Sequence, residues 1–208
     1  MRYDAIIVAS GKGQRANLGY NKAFYMMKDG RSVVEHSVDL FVSDEDCGKV
    51  ILVTNEEYFD TLKKDKLVCV SGGAERKDSV HNGLKEAESE YVLIHDGARP
   101  FLHRESLEAL KEKVSECDAA VLGRMAFDTI KQVKDGKIVK TLNREEIFQA
   151  ETPQAFKTAL IKDCFERCAD VIFTDDASLV ESLGYEVSVV IDRYDNRKLT
   201  KEEDFRDL

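Results

Sequence analysis

Short, continuous runs of apolar residues recur along the chain and predict the strands of a buried sheet. The runs do not alternate apolar with polar positions, as strands with one face in water usually do. Continuous apolar runs are instead typical of strands that are covered on both faces. The predicted strands are residues 4–9, 49–54, 67–70, 91–94, 119–122 and 187–191.

Segments with a helical spacing of apolar residues separate these runs, and polar residues that can cap a helix precede most of them. The predicted helices begin after Ser32, at Asp78, at Glu105 and near Asp175 and Asp176, and they continue through Phe41, Leu84, Val114 and Val180. Strands that alternate with helices predict an α/β fold, in which a mostly parallel, twisted sheet carries helices on both faces. Ligands of such folds bind at the carboxyl ends of the strands.

One segment interrupts this alternation. Residues 128–141 contain two short strand-like runs on either side of Asp135-Gly136, a dipeptide typical of β-hairpin turns. An isolated hairpin of two strands is marginally stable in water. We therefore predict that an arm at about residues 127–148 packs on a second subunit, which makes the protein a homodimer. No linker or repeat marks a boundary elsewhere, so we predict one domain over residues 1–208.

The composition is that of an ordinary globular domain. Of the 208 residues, 43% are apolar and 34% are charged, which supports a full hydrophobic core and excludes disordered and fibrous classes. The formal net charge of −9 argues against nucleic acid or an anionic membrane surface as a partner. Local cations must therefore hold any anionic substrate.

Targeting and redox features predict a cytoplasmic protein. The chain shows no signal-peptide pattern and no apolar run near the roughly 20 residues that a membrane-spanning helix needs. The five cysteines are odd in number and lack the CxxC or Cys/His spacing of metal sites. Cys164 and Cys168 could share a helix face and bind a metal, but reduced structural thiols fit the spacing better.

The loop behind the first strand carries candidate chemistry. Ser10-Gly-Lys-Gly-Gln-Arg15 follows the strand directly, and Lys22 stands seven residues later. The glycines permit backbone N–H groups to approach a phosphate chain, and Arg15 and Lys22 add two cations. The loop therefore predicts a site for a nucleotide triphosphate, although a tight turn with two solvated surface cations would show the same pattern.

Two other phosphate-binding motifs, the dinucleotide fingerprint and the Walker A loop, fit this loop less well. Gly11, Gly13 and Ala16 satisfy the loose dinucleotide fingerprint G-x-G-x-x-G/A. A dinucleotide loop should lead straight into a helix, whereas Asn17-Leu-Gly-Tyr-Asn21 interrupts one here. A Walker A loop is excluded because the chain contains no G-x-x-x-x-G-K-[ST].

An aspartate follows the fourth predicted strand. The sequence Ile94-His-Asp96-Gly-Ala-Arg99 places a carboxylate at the carboxyl edge of the sheet, where it can hold Mg²⁺ or another divalent cation bound to nucleotide phosphates. Arg99 can meet a further phosphate. The alternative is that Asp96 caps the turn and pairs with Arg99. We predict that His95 packs beneath the same turn.

A pair of glycines follows the third predicted strand. Gly72 and Gly73 permit close approach of the backbone to a flat ligand, and the hydroxyl of Ser79 could bond the polar edge of a base. Asp78 is expected to cap the next helix in either case. Asp175 and Asp176 are likewise expected to act as helix caps rather than as metal ligands.

Together these motifs resemble the 2-C-methyl-D-erythritol 4-phosphate cytidylyltransferase family of the non-mevalonate isoprenoid pathway. The resemblance covers nearly the whole chain and rests on eight segments in the same order. They are Gly11–Arg15, Asn21-Lys22, Gly72-Gly73-x-x-Arg76-x-x-Ser79, His95–Pro100, Asp128–Lys131, Thr152–Gln154, Thr174–Ser178 and Asn196–Thr200. Many members of the family have proline at position 21, so Asn21 predicts a less rigid loop.

The resemblance implies a Rossmann-like nucleotidyltransferase fold and a transfer of CMP from CTP to 2-C-methyl-D-erythritol 4-phosphate. It also implies a role for each matching residue. The implied catalytic cations are Arg15, Lys22 and Lys198, and the implied nucleotide contacts are Ser10, Gly11 and Gly13 for the triphosphate and Gly72, Gly73 and Ser79 for cytosine. The implied acceptor contacts are Asp96, which also serves the Mg²⁺, Arg99 and Thr152, with Thr129 and Arg144 reaching the site of the neighbouring subunit.

Two other functions remain compatible with these residues. A related cytidylyltransferase for another polyol phosphate, such as ribitol 5-phosphate, would share the loop and the arm but often differs at the stretch that corresponds to residues 174–178. That stretch favours methylerythritol phosphate here. A non-catalytic nucleotide-binding module is expected to have lost at least one of four charged residues that this chain retains, namely Arg15, Lys22, Asp96 and Lys198.

Overall fold

Nine strands and five α-helices are present in the residues that the structure, a computed structural model, describes: 1–11, 19–168, 173–206 and 208. The strands are β1 (Tyr3–Val8), β2 (Cys47–Thr54), β3 (Leu67–Ser71), β4 (Tyr91–Asp96), β5 (Ala119–Met125), β6 (Lys131–Lys134), β7 (Lys137–Thr141), β8 (Phe148–Lys157) and β9 (Ser188–Ile191). The helices are α1 (Val33–Val42), α2 (Arg76–Glu86), α3 (Arg104–Glu116), α4 (Thr158–Arg167) and α5 (Asp176–Ser182).

Seven of these strands form one sheet in the order β3-β2-β1-β4-β8-β5-β9. Strands β3, β2, β1 and β4 are parallel to one another, and β9 is parallel to β5. Strand β8 is antiparallel to both of its neighbours, β4 and β5. The sheet is therefore mostly parallel, as the apolar runs predict.

The helices cover both faces of this sheet. Ala5 and Ile7 of β1 pack in one apolar cluster with residues of α1 and α3. Ile6, which points to the opposite face, packs in a second cluster with residues of α2, α4 and α5. Because each face buries alternate residues of β1, both sets must be apolar, which explains the continuous run and confirms the α/β class.

Strand β8 and helix α4 are not predicted by the apolar pattern. Residues 151–154 of β8 read Glu-Thr-Pro-Gln, and a proline within a sequence argues against a central strand. The pairing of β8 with β5 shifts register between Val121 and Gly123, opposite the stretch that contains Pro153, so that proline interrupts no regular ladder. Helix α4 follows β8 without a loop, and the sequence offers no separate start signal for it.

Two helix caps can be compared with the capping residues that the sequence predicts. Helix α2 begins at Arg76 with Glu75 as its cap, and the carboxylate of Asp78 accepts the backbone N–H of Glu75 at 2.9 Å. The prediction that Asp78 is the cap is wrong by three residues, because Asp78 is the third helical residue of a capping box. The prediction for Asp175 is confirmed, since its carboxylate accepts the backbone N–H of Ser178 at 3.1 Å.

Strands β6 and β7 form the predicted hairpin, which stands apart from the main sheet. Asp135 and Gly136 at its tip have positive φ angles of 51° and 73°, which a tight hairpin turn requires at both central positions. Apolar side chains on this arm face outwards, with Phe127 88% and Ile138 65% exposed. A membrane-spanning helix is absent from the described residues, because none of their helices is long and apolar enough.

Candidate active site

An open cleft of about 670 Å³ lies at the carboxyl ends of β1 to β4. Its lining consists of residues 8–11, 21–23, 55, 73–76, 96, 98 and 198. Each of the first four strands thus delivers its following loop to the same place, as expected for a parallel sheet. Lys198 joins them from the segment that follows β9.

The glycine-rich loop of the sequence lies partly at this cleft. Ser10 and Gly11 line it, and a Cβ atom added to Gly11 would meet nothing within 4 Å, so the backbone here is open to a ligand. The predicted triphosphate residues Gly13 and Arg15 lie outside the described residues. Their roles stay predictions.

The Gly72-Gly73 turn is packed too closely for side chains. A Cβ atom on Gly72 would collide with the side chain of Ser10, and one on Gly73 would collide with Asp78, whose carbonyl carbon would be only 2.9 Å away. Gly73 lines the cleft, and both glycines belong to the loop that follows β3. Glycine is required at both positions because of this close approach.

The hydroxyl of Ser79 is engaged within the protein. It donates to the carbonyl of Glu75 at 3.1 Å, accepts the backbone N–H of Gly73 at 3.0 Å and lies 2.9 Å from the hydroxyl of Ser10. A hydroxyl has one donor and two acceptor positions, so these three contacts use all of them. Ser79 is 1% exposed, and it holds the glycine turn in place rather than presenting its hydroxyl to the cleft.

Lys22 begins a short 3₁₀ turn, Lys22–Phe24, beside the end of β1. Its Nζ donates to the carbonyl of Leu199 at 2.5 Å. Leu199 directly follows Lys198 in the chain, so the two predicted catalytic lysines line the same cleft although they are far apart in the sequence.

Asp96 stands at the centre of the cations. Its carboxylate lies 2.6 Å from Lys198 Nζ, 3.5 Å from Arg76 Nε and 3.9 Å from Arg99 Nε. Burial opposes ionisation of Asp96, but Lys198 and Arg76 outweigh it and hold the pKa of this carboxyl well below its usual range. Asp96 is therefore a carboxylate at neutral pH.

Arg76 is a site residue to which the sequence pattern gives no role. Its guanidinium lines the cleft and binds both carboxylate oxygens of Asp176, at 3.1 and 2.7 Å. Asp176 is completely buried, and burial raises the pKa of its carboxyl although Arg76 counteracts this. The prediction that Asp176 serves as a helix cap is wrong: Asp175 caps α5, and Asp176 fixes the Arg76 guanidinium next to Asp96.

A network of hydrogen bonds, formed by Thr152 and His95, holds the backbone of Asp96 in place. Thr152 Oγ1 accepts the backbone N–H of Asp96 at 3.0 Å and lies 3.1 Å from His95 Nδ1. His95 Nε2 lies 3.1 Å from the carbonyl of Arg99, so it is the protonated nitrogen, and Nδ1 accepts the proton of Thr152. Burial lowers the pKa of His95 to about 4, which keeps the ring neutral in this chain.

Arg99 and Thr152 connect the carboxyl-terminal segment of the protein to this hydrogen-bond network. Arg99 Nη1 donates to the carbonyl of Asn196 at 2.6 Å, and Asn196 Nδ2 donates to the carbonyl of Thr152 at 2.8 Å. Asn196 is completely buried. The same bonds place Lys198, two residues later, over Asp96.

The two predicted arm residues lie elsewhere. Thr129 and Arg144 are exposed, and Arg144 donates to the carbonyl of Phe127 at 3.0 Å. Neither lines the cleft of its own chain. The structure thus brings Lys22, Asp96 and Lys198 together at the cleft, with Arg99 and Thr152 behind Asp96, and leaves the arm residues apart.

The donor set at the cleft fits a divalent cation that arrives with a nucleotide. Among the described residues no three His, Cys, Asp or Glu side chains form a cluster that could hold a metal by itself. Mg²⁺ commonly binds through one or two carboxylates together with substrate phosphates and water. Asp96 Oδ1, whose contact with Arg76 is long at 3.5 Å, is the oxygen that could serve as such a ligand.

Comparison with known proteins decides the family. A family model described as 2-C-methyl-D-erythritol 4-phosphate cytidylyltransferase matches residues 3–207 of the chain. The chain belongs to this family. The resemblance noted in the sequence is thereby confirmed.

Curated cytidylyltransferases of the same description resemble the chain over nearly its full length. The protein of Bacillus licheniformis is 40% identical over 215 residues, which cover 98% of this chain and 93% of the relative. That of Halalkalibacterium halodurans is also 40% identical, over 216 residues that cover 98% and 94%. The whole chain, rather than one motif, therefore carries the relationship.

Solved structures agree with the observed architecture. A crystal structure of 4-diphosphocytidyl-2C-methyl-D-erythritol synthase from Anaerococcus prevotii superposes with a TM-score of 0.84 at 30% identity, covering 98% of this chain and 94% of the other. The 2-C-methyl-D-erythritol 4-phosphate cytidylyltransferase of Francisella tularensis gives a TM-score of 0.83 at 28% identity, covering 99% and 97%. The predicted nucleotidyltransferase fold is thus confirmed.

Proposed function

We propose that this chain transfers CMP from CTP to 2-C-methyl-D-erythritol 4-phosphate, releasing pyrophosphate, as a step of isoprenoid precursor biosynthesis. The observation that carries the proposal is that Lys198 and Arg76 contact Asp96 in a cleft that Lys22 also lines, in a chain of this family. Such a set of cations suits a reaction between two phosphate-bearing anions.

The chemistry follows from charge. An oxygen of the acceptor phosphate forms a bond to the α-phosphorus of CTP, and the bond from that phosphorus to the bridging oxygen breaks in line, so that pyrophosphate leaves with the electron pair. Negative charge accumulates around the α-phosphorus during this exchange. Lys22, Lys198 and Arg15 would neutralise it, and no nucleophilic side chain is needed.

Asp96 would hold a divalent cation, which neutralises charge across the CTP phosphates when it is bound. The backbone of Ser10, Gly11 and Gly13 would wrap the triphosphate. Gly72 and Gly73 would contact cytosine, and Ser79 would act on the base through the glycine turn that its hydroxyl holds. Arg99 and Thr152 would position the acceptor phosphate next to Asp96.

Pyrophosphate release tests this proposal directly. Purified protein is incubated with CTP, Mg²⁺ and either 2-C-methyl-D-erythritol 4-phosphate or ribitol 5-phosphate. We expect release with the first acceptor and little with the second. Release with ribitol 5-phosphate alone would assign the chain to another polyol phosphate, and release with neither would favour a non-catalytic nucleotide-binding module.

We propose further that two chains form a homodimer through the arm. The support is the outward-facing apolar surface of Phe127, Val133, Ile138 and Val139, each more than half exposed, on an arm whose hairpin is separate from the main sheet. Thr129 and Arg144 lie on the same arm, so a partner would receive them at its acceptor site.

Light scattering after size-exclusion chromatography checks the dimer. We expect wild-type protein at twice the chain mass of 23.5 kDa and the double variant Phe127→Lys/Ile138→Lys at one chain mass with most activity lost. Val68→Lys, on the edge strand β3, is the control and should stay dimeric. A wild-type protein of one chain mass would refute this assembly.

A cytoplasmic location, one domain and the absence of nucleic-acid or membrane partners complete the proposal. All five cysteines are unpaired thiols, as is usual in a reducing compartment. The net charge of −9 disfavours polyanionic partners.

A further inference from the structure

The side chain of Asn21 joins two parts of the cleft that the intervening loop separates. Its Nδ2 donates to the carbonyl of Ala9 at 2.5 Å, and its Oδ1 accepts the backbone N–H of Ala23 at 3.1 Å. Asn21 is only 5% exposed, so both bonds are sheltered from water. The sequence predicts a less rigid loop at this residue, whereas the structure restrains Asn21 at both ends of its amide.

The carbonyl of Ala9 is a fixed anchor. The backbone N–H of Ala9 donates to the carbonyl of Val53 at 2.8 Å, which continues the parallel pairing of β1 and β2. The hydroxyl of Thr54, a fully buried residue, donates to the same Ala9 carbonyl at 3.0 Å. Asn21 therefore attaches its turn to the rigid carboxyl end of β1.

The turn held in this way is the one that carries Lys22. Lys22 directly follows Asn21, and Asn21 caps the 3₁₀ turn whose first residue is Lys22. The backbone N–H of Tyr25 closes the turn on the carbonyl of Lys22 at 3.1 Å. The side chain of Asn21 thus ties the backbone of Lys22 to the end of β1.

We propose that Asn21 is a positioning residue for Lys22, which it holds at the distance from β1 that the transferring phosphoryl group requires. This inference rests on the proposed function, since Lys22 has a catalytic task only if the chain transfers CMP. A displacement of about 1 Å can cost on the order of 100-fold in rate, so two hydrogen bonds at this place have a large effect.

Steady-state kinetics of Asn21→Ala test the proposal. We expect kcat/KM for CTP to fall about tenfold or more, because the lysine remains but loses its fixed backbone. In a protein that already carries Lys22→Ala, the same substitution should cost less than about twofold, since a residue that acts only through Lys22 has nothing left to position. Equal losses in both backgrounds would overturn the proposal, as would near wild-type kinetics of Asn21→Ala.

Thr54→Val is the matched control. It removes the other side-chain donor to the Ala9 carbonyl, in a residue that is more deeply buried than Asn21, and leaves both Asn21 bonds in place. We expect lower thermal stability but kcat/KM within about threefold of wild type. A loss equal to that of Asn21→Ala would show that any damage around Ala9 has the same result, and the specific role of Asn21 would be wrong.

Amide hydrogen exchange separates this inference from the proposed function. In the protein without substrates, Asn21→Ala should speed exchange of the Ala23 amide, whose acceptor it removes, and Thr54→Val should not. If wild-type protein released no pyrophosphate, the proposed function would fail while this exchange difference still reported the restraint. If the enzyme were active and exchange did not change, the restraint itself would be refuted.

Discussion

Lys22→Ala should lower kcat by about 100-fold or more while the protein remains folded. Lys22 lines the cleft together with Lys198, and its ammonium group donates to the carbonyl of Leu199. In the proposed reaction, charge would develop here on the transferring phosphoryl group. Loss of one preorganised donor of this kind commonly costs a factor of 100 to 1,000, roughly. The measurement is kcat at saturating CTP, Mg²⁺ and acceptor, together with a thermal unfolding curve. Arg15→Ala is predicted from the sequence to have an effect of the same size.

Lys162→Ala provides a matched control for this variant. Lys162 also donates its Nζ to a backbone carbonyl, that of Ala87, at 2.7 Å, but it lies on α4 and not at the cleft. Its removal should leave kcat within about threefold of wild type. If Lys22→Ala behaved like Lys162→Ala, the catalytic role of Lys22 would be wrong.

Asp96→Asn should also cost about 100-fold or more in kcat. Asparagine keeps the size of the side chain but removes the negative charge that three cations share, namely those of Lys198, Arg76 and Arg99. The cations would then repel one another, and the divalent cation would lose its carboxylate ligand. Raising the Mg²⁺ concentration should not restore the rate. A kcat within tenfold of wild type would contradict the assignment.

Asp44→Asn is the corresponding control, because Asp44 is another buried aspartate that binds cations. It contacts Lys111 Nζ at 3.0 Å and accepts the hydroxyl of Tyr3, at the amino end of β1 and therefore at the opposite end of the strand from the cleft. Breaking a buried pair of this kind costs about 3 kcal/mol of unfolding free energy. We expect a lower urea midpoint for Asp44→Asn with an almost unchanged kcat.

The parts of the fold that the sequence predicts are those set by local patterns. Six of the main-sheet strands follow from apolar runs, and the hairpin follows from Asp135-Gly136. The seventh strand, β8, is missed because its polar and proline residues would weaken an ordinary ladder and are tolerated here only at a register shift. Tertiary context overrides the local signal at this strand.

The residues of the candidate site also fall into those that the sequence predicts and those that only the structure reveals. Lys22 and Asp96 are predicted from motifs behind the first and fourth strands, whereas the prediction for Lys198 comes from the family resemblance. The bond between Arg76 and Asp176 joins residues 100 positions apart, and no local spacing reports it. Ser79 shows a similar limit, because the sequence places its hydroxyl next to a glycine turn but does not reveal the three partners that this hydroxyl has within the protein.

The reversed direction of β8 has a consequence for how this protein can change over evolutionary time. The strand leaves the arm at Phe148 and carries Thr152 to the backbone of Asp96, with only three residues between Phe148 and Thr152. One inserted or deleted residue in this stretch would turn the hydroxyl of Thr152 to the other face of the sheet. Insertions and deletions can therefore be accepted at the tip of the arm. The segment from Phe148 to Thr152, in contrast, must keep its number of residues.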